Sequence, residues 1–240
     1  MRGLFRSVIP GNSYRLLAVI CLLCAVCCPL FAQEHKMVEF QMVLLKRGPK
    51  WTGNTTEDTR LLEVAQRDYA TSLIESDKAV IAGRLTDDGE IRGVYVLRAK
   101  TAAEAKEWSD NSPAVKSGHL ISELHPWWSE EVMKKTATPA KMTTAYLAFL
   151  KRGAKWTPEK TTQTEEIQKG HMANINRLAE TKKLVVAGPF GDNGPLRGIF
   201  VFKVGSLEEA KALAETDPAV QAGRLALDIH PWQVPEGILP

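Results

Sequence analysis

The sequence predicts an α+β fold built twice, as two ferredoxin-like domains that each run β-α-β-β-α-β. Three observations carry that prediction. A gapless internal repeat at an offset of 105 residues (156 − 51) returns Leu45-Lys-Arg-Gly-Pro-Lys-Trp-Thr52 as Leu150-Lys-Arg-Gly-Ala-Lys-Trp-Thr157. Hydrophobic periodicity alternates between that of a strand and that of a helix in the same order in both copies. The chain's 240 residues, 44% hydrophobic and 25% charged, suit two small globular domains rather than a disordered or collagen-like chain.

Each copy opens with an apolar strand, Val38 to Leu45 and Thr143 to Leu150, followed by an amphipathic helix, Glu57 to Glu75 and Thr164 to Glu180. A hairpin comes next. Ala79-Val-Ile-Ala and Leu184-Val-Val-Ala lead through the turns Asp87-Asp-Gly89 and Asp192-Asn-Gly194 into Gly93 to Leu97 and Gly198 to Phe202. A capping box, Thr101-Ala-Ala-Glu104 or Ser206-Leu-Glu-Glu209, predicts the start of the second helix. Short strands near Leu120 to Leu124 and Leu225 to Ile229 close the two copies.

In this order both helices cover one face of a four-stranded antiparallel sheet and leave the other face bare. Exposed apolar strand residues need a cover, so the two copies are expected to stack sheet against sheet as an internal pseudo-dimer, with pairing onto a second chain, a homodimer, as the other solution. Tandem linkage favours the internal pair by raising effective concentration. The expected boundaries are 33–128 for the first domain, 129–141 for a polar linker holding Pro139, and 142–240 for the second domain.

Residues 1–32 read as an address. Arg2, Arg6 and Arg15 precede an apolar run from Leu16 to Val26 that is short for a bilayer span, and the small Ala32 precedes Gln33: a signal-peptide pattern, with retention as an anchor the competing reading. The expectation is export to the periplasm or medium, with no membrane attachment after cleavage. Cys21, Cys24, Cys27 and Cys28 all lie there, so the exported product would carry neither disulfide nor thiol chemistry.

The segment also holds three basic residues and no acid. Of 31 Lys and Arg, 28 therefore remain, against 28 Asp and Glu. That parity argues against nucleic acid as a partner. No His or Cys spacing matches a metal-ligand set, so no metal and no cofactor are expected.

The helix containing Gln168-Lys-Gly-His171, with Ala187-Gly-Pro-Phe190, Asp192-Asn-Gly194, Leu196-Arg-Gly198 and Thr216-Asp-Pro-Ala-Val220-Gln-Ala-Gly223, resembles a YCII-related (YciI-like) domain over nearly all of each copy. The resemblance implies a dimeric α+β barrel and an active site built around one histidine and one aspartate. It implies no assigned reaction for most members, and breakdown of chlorinated aromatics for a few. Carried over by position, the pair is His171 and Asp217. The first copy departs at both places together, with Gln66 and Ser112, and reads as chemically silent.

The residues support part of this independently. Ile167, His171, Ile175 and Leu178 share one helix stripe, so His171 should point inward, where a buried imidazole needs a hydrogen-bond partner. Such a His–Asp pair serves as general base and orienter, although a lone histidine on an apolar stripe is as readily a satisfied core residue. Asp217, for its part, suits the N-cap of a Pro-initiated helix, a task that Ser112 is expected to perform as well.

Around the pair, Arg197 is a candidate for holding an anionic substrate group. Because Arg92 occupies the same place in the silent copy, a salt bridge within the fold is the favoured reading of that arginine. Gly188 and Pro189 are expected to bring backbone close to a ligand, with Asp192 beside them. His125-Pro-Trp127 and His230-Pro-Trp232 occur in both copies and read as packing at a strand end. The functional expectation is an unidentified small molecule bound in the second copy, with proton-transfer or lyase-type chemistry. The competing expectation is a non-catalytic interaction module on the same scaffold.

Overall fold

The computed structural model describes residues 36–136 and 140–240; the expected signal segment lies outside the described residues. The first copy comprises β1 (Met37–Arg47), α1 (Glu57–Glu75), β2 (Ala79–Leu85), β3 (Ile91–Leu97), α2 (Ala102–Asp110), α3 (Pro113–Lys116) and β4 (Leu120–Glu130). The second comprises β5 (Met142–Arg152), α4 (Thr162–Glu180), β6 (Leu184–Pro189), β7 (Leu196–Phe202), α5 (Leu207–Ala214), α6 (Pro218–Gln221) and β8 (Leu225–Pro235). Among the described residues no helix is long and apolar enough to cross a membrane.

Local chemistry sets the helix starts. Reciprocal capping boxes open α1 at Thr56/Thr59 and α4 at Thr161/Thr164, so α4 begins two residues earlier than its apolar stripe suggests. The boxes expected at α2 and α5 are only half made. Thr101 and Ser206 cap the N–H groups of Glu104 and Glu209, but the glutamates reach past the cap to the N–H groups of Lys100 and Gly205. A positive φ at Asp77 (59°) and at Lys182 (58°) turns the chain sharply after α1 and α4 at equivalent places.

Both sheets merge into one eight-stranded sheet of order β4-β1-β3-β2-β8-β5-β7-β6. Its two copies join where β2 pairs with β8, Arg84 opposite Gln233 and Leu85 opposite Trp232. The ends of the sheet meet at the matching place, through a bridge between Trp127 and Phe190 and a Gly191 N–H donated to the Pro126 carbonyl at 2.7 Å. The sheet thus closes into a barrel with a pseudo-two-fold relation between copies.

Side-chain alternation divides the apolar residues into three cores. One fills the barrel from both copies, with Met42, Leu44 and Ile81 facing Leu147, Phe149 and Val201. The other two lie between each half-sheet and its own helices. β4 and β8 are eleven residues long, longer than expected, so the His-Pro-Trp segments lie inside strands rather than at strand ends. β4 runs to Glu130, inside the segment expected to link the copies; beyond it Met133 is buried in the barrel core and Lys134 donates its N–H to the Ile238 carbonyl.

Candidate functional site

The second copy carries a histidine–carboxylate pair under α4. Ile167, Ile175 and Leu178 lay the helix on the half-sheet, and the same stripe turns His171 inward, its ring stacked on Phe200 of β7 at 5.9 Å between centroids. Asp217 is the N-cap of α6, fully buried, and one oxygen (Oδ1) accepts the Ala219 N–H at 2.8 Å. Its other oxygen lies 2.7 Å from Nδ1 of His171 and 3.4 Å from the Asn174 amide nitrogen. The short helix thus spends one carboxylate oxygen on its own cap and turns the other to the imidazole across 46 positions of sequence.

That geometry fixes the ring. Nδ1 faces a carboxylate, which only accepts, so Nδ1 is the donor of the pair and Nε2 is the ring nitrogen left for another partner. Among the described residues Nε2 has no hydrogen-bond partner, and the side chain is 12% exposed. Arg177 steadies the surrounding shell through Asn174 Oδ1 at 2.6 Å and the Thr216 hydroxyl at 2.9 Å.

The equivalent place in the first copy is closed. Gln66 accepts the Ala114 N–H at 2.9 Å through its amide oxygen, performing the capping task that Asp217 performs in the second copy. Its amide nitrogen donates to the Tyr95 hydroxyl at 2.6 Å, where the second copy has Phe200. Burial pushes the Tyr95 phenol well above its usual range. Ser112 is buried and its hydroxyl has no partner among the described residues, so the cap expected of it is not made. Three linked differences, Gln66/His171, Tyr95/Phe200 and Ser112/Asp217, therefore replace an open imidazole by a satisfied amide.

The remaining expected site residues gather elsewhere. Asp192 does not approach His171: it contacts Nδ1 of His125, in the other copy, at 2.6 Å. Gly188 is pressed against the first copy rather than a ligand. The Trp127 indole donates to its carbonyl at 3.1 Å, and a Cβ on Gly188 would stand 1.9 Å from the Trp128 carbonyl oxygen. Pro189 pairs with Gly198 at the end of β6. Arg197 makes no salt bridge among the described residues; its guanidinium lies over Trp156 at 4.9 Å, so the intramolecular ion pair favoured from sequence is not formed.

Sequence reasoning missed the two seams. His125 Nε2 faces Glu123 at 2.8 Å and Lys46 reaches that carboxylate at 2.5 Å, so the contacts run Lys46, Glu123, His125, Asp192 across one seam. The matching contacts at the other seam run Lys151, Asp228, His230, Asp87, with 2.8 Å between His230 Nδ1 and Asp87. Asp228 approaches His230 Nε2 at 3.2 Å, an ion-pair distance without hydrogen-bond alignment. Burial raises the Glu123 and Asp228 carboxyls, but the hydrogen bonds from Lys46 and His125 to Glu123, and the Lys151 hydrogen bond with the nearby charge of His230 at Asp228, outweigh it and hold both below the usual range. The signal available in the sequence was the presence of His-Pro-Trp and of an aspartate at the same turn position in both copies.

A model of the YCII-related domain matches residues 40–127 and again 144–233. An uncharacterized protein of Bacillus subtilis (strain 168), YjpA, is 35% identical over 78 residues, which are 31% of this chain and 89% of that protein. Among solved structures, a putative chlorite dismutase superposes with a TM-score of 0.53 at 11% identity, over 84% of this chain and 94% of that one. A chlorite dismutase variant of Candidatus Nitrospira defluvii gives 0.52 at 13% identity over 84% and 91%, and a heme-binding protein of Thermus thermophilus gives 0.50 at 11% over 83% and 92%. These likenesses establish the dimeric α+β barrel fold.

A haem iron needs an open axial nitrogen, which neither His125 nor His230 offers, since both ring nitrogens of each lie against carboxylates. The two domain matches together cover most of the sequence, and the chain belongs to the YCII-related domain family as a tandem duplication of that domain.

Proposed function

We propose that the second copy binds a small molecule against His171 and uses the His171–Asp217 pair for proton transfer, in lyase-type chemistry at a carbon next to a carbonyl or on a phenolic ring. One observation carries this reading: Nδ1 of His171 is held at 2.7 Å by a fully buried carboxylate while Nε2, on a side chain 12% exposed, has no partner among the described residues. In this mechanism Nε2 removes the proton, and Asp217 keeps the ring in the productive tautomer and stabilises the imidazolium that forms. The same imidazolium returns the proton to the product. The first copy, with Gln66 in the equivalent place, supplies scaffold alone.

We further propose that the protein works as an exported internal pseudo-dimer, on the strength of the basic and then apolar leader. The test is turnover of a panel of small phenolic and carbonyl compounds by the purified protein. Turnover lost in His171→Ala and kept in Gln66→Ala supports the reading. Turnover that survives His171→Ala refutes it, and saturable small-molecule binding without any turnover favours a non-catalytic binding module.

A further inference from the structure

A second feature separates the copies, at a place that neither His171 nor Asp217 touches. In the first copy Arg47 and Arg92 flank the Trp51 ring at 5.5 and 5.2 Å. Asp88 lies between their charges, 2.5 Å from Arg47 and 3.8 Å from Arg92. In the second copy Arg152 and Arg197 flank Trp156 at 5.4 and 4.9 Å, and a third guanidinium, Arg224, joins them at 5.1 Å. At the 105-residue offset, Asn193 stands in the place of Asp88 and Arg224 in the place of His119. One substitution removes the internal anion, and the other adds a cation.

The hydrogen bonding changes in the same direction. Arg92 gives an N–H (Nη1) to the Asp87 carbonyl at 2.5 Å, whereas Nη1 of Arg197 is buried with no acceptor. Among the described residues the Arg152 guanidinium donates to the Asn193 carbonyl, and that of Arg224 to Thr157, at its hydroxyl and its carbonyl. Among the described residues no carboxylate comes within ion-pair distance of Arg152, Arg197 or Arg224. Three like charges around one ring lie within about one Debye length of each other, ~10 Å at 0.1 M salt, so their repulsion is felt unless an anion relieves it. The indole supplies cation–π attraction, but no oxygen acceptor.

We propose that this cage binds an oxyanion, the carboxylate or phosphate group of a small molecule, in the position that Asp88 occupies in the first copy. Guanidinium groups present paired N–H donors suited to such a group, and Asp88 marks the place an anion takes between them, 2.5 Å from Arg47 and 3.8 Å from Arg92 in the first copy. The site is distinct from the His171–Asp217 pair and stands or falls without it.

The test is a titration of ¹⁵N-tryptophan-labelled protein with sodium phosphate and, separately, with citrate, following the indole N–H resonances of Trp156 and Trp51. At low salt the Trp156 resonance is expected to move saturably while Trp51 does not. The tighter ligand tells a phosphate site from a carboxylate one. Asn193→Asp restores the internal anion and should weaken binding about tenfold or more, a change of about 1.4 kcal/mol, with the melting temperature confirming the fold. Asp88→Asn should make Trp51 respond as well. A Trp156 resonance indifferent to both ligands, or one that responds equally in Asn193→Asp, overturns the proposal.

Discussion

Replacing Asp217 by serine, the residue at the same position in the first copy, should unbalance the second copy in a way that a matched set of changes repairs. Asp217 accepts the Ala219 N–H at 2.8 Å and the His171 Nδ1–H at 2.7 Å, and it is fully buried. Leaving a buried donor unpaired costs about 1–3 kcal/mol, and the serine hydroxyl reaches neither partner in the first copy, where Ser112 has none. Asp217→Ser alone is therefore expected to cost about 3 kcal/mol. Adding His171→Gln and Phe200→Tyr reconstitutes the arrangement of Gln66 with Tyr95 and the Ala114 N–H, and should recover all but about 1 kcal/mol.

Equilibrium urea unfolding, followed by circular dichroism, reads this directly. With a slope of about 2 kcal/mol/M, a loss of about 3 kcal/mol lowers the midpoint by about 1.5 M at unchanged slope. A triple variant no more stable than Asp217→Ser would refute the equivalence of the two hydrogen-bond sets. So would an Asp217→Ser midpoint within a few tenths of a molar of the parent.

Two further outcomes follow from the seams. Gly188→Ala places a Cβ 1.9 Å from the Trp128 carbonyl oxygen and should destabilise the barrel by about 3 kcal/mol, read as a lowered urea midpoint, whereas Gly237→Ala meets nothing within 4 Å and costs only its backbone strain at φ +83°. Acid should weaken the fold through Glu123 and Asp228. Their folded values lie below the usual ones, so the stability they contribute is complete above the ordinary carboxylate range near pH 4 and is lost as pH falls through the folded values. Urea midpoints measured from pH 7 to pH 3 should drop on the acid side, and less steeply in Glu123→Gln/Asp228→Asn.

Much of the fold was legible because it is local. The order of elements follows from periodicity and turn chemistry, and the repeat doubles every signal: Trp51 and Trp156, or Pro113 and Pro218, mark the same place twice. The inward turn of His171 follows from helical spacing, and the approach of Asp217 from placing the second helical segment beside the first. Barrel closure was not legible in its details, since the contacts that seal it join residues far apart in sequence. Asp192 was read as a turn residue beside a ligand site, yet its partner, His125, lies 67 positions away in the other copy.

Arg197 misled for a related reason. The presence of Arg92 in the first copy suggested a shared salt bridge, but the acid that Arg92 uses is Asp88, and the second copy has Asn193 there. Gly188 was read as making room for a ligand; it makes room for the other copy's Trp128 backbone. Tyr95 and Phe200 differ by one hydroxyl, whose role emerges only once Gln66 is seen to donate to it.

The ring nitrogens of His171, observed by long-range ¹H–¹⁵N NMR on histidine-labelled protein, test the dyad most directly. The structure predicts that Nδ1 carries the proton shared with Asp217, and that this Nδ1–H signature is lost in Asp217→Asn. A ring protonated mainly at Nε2 in the parent, or an identical spectrum in the variant, would contradict it.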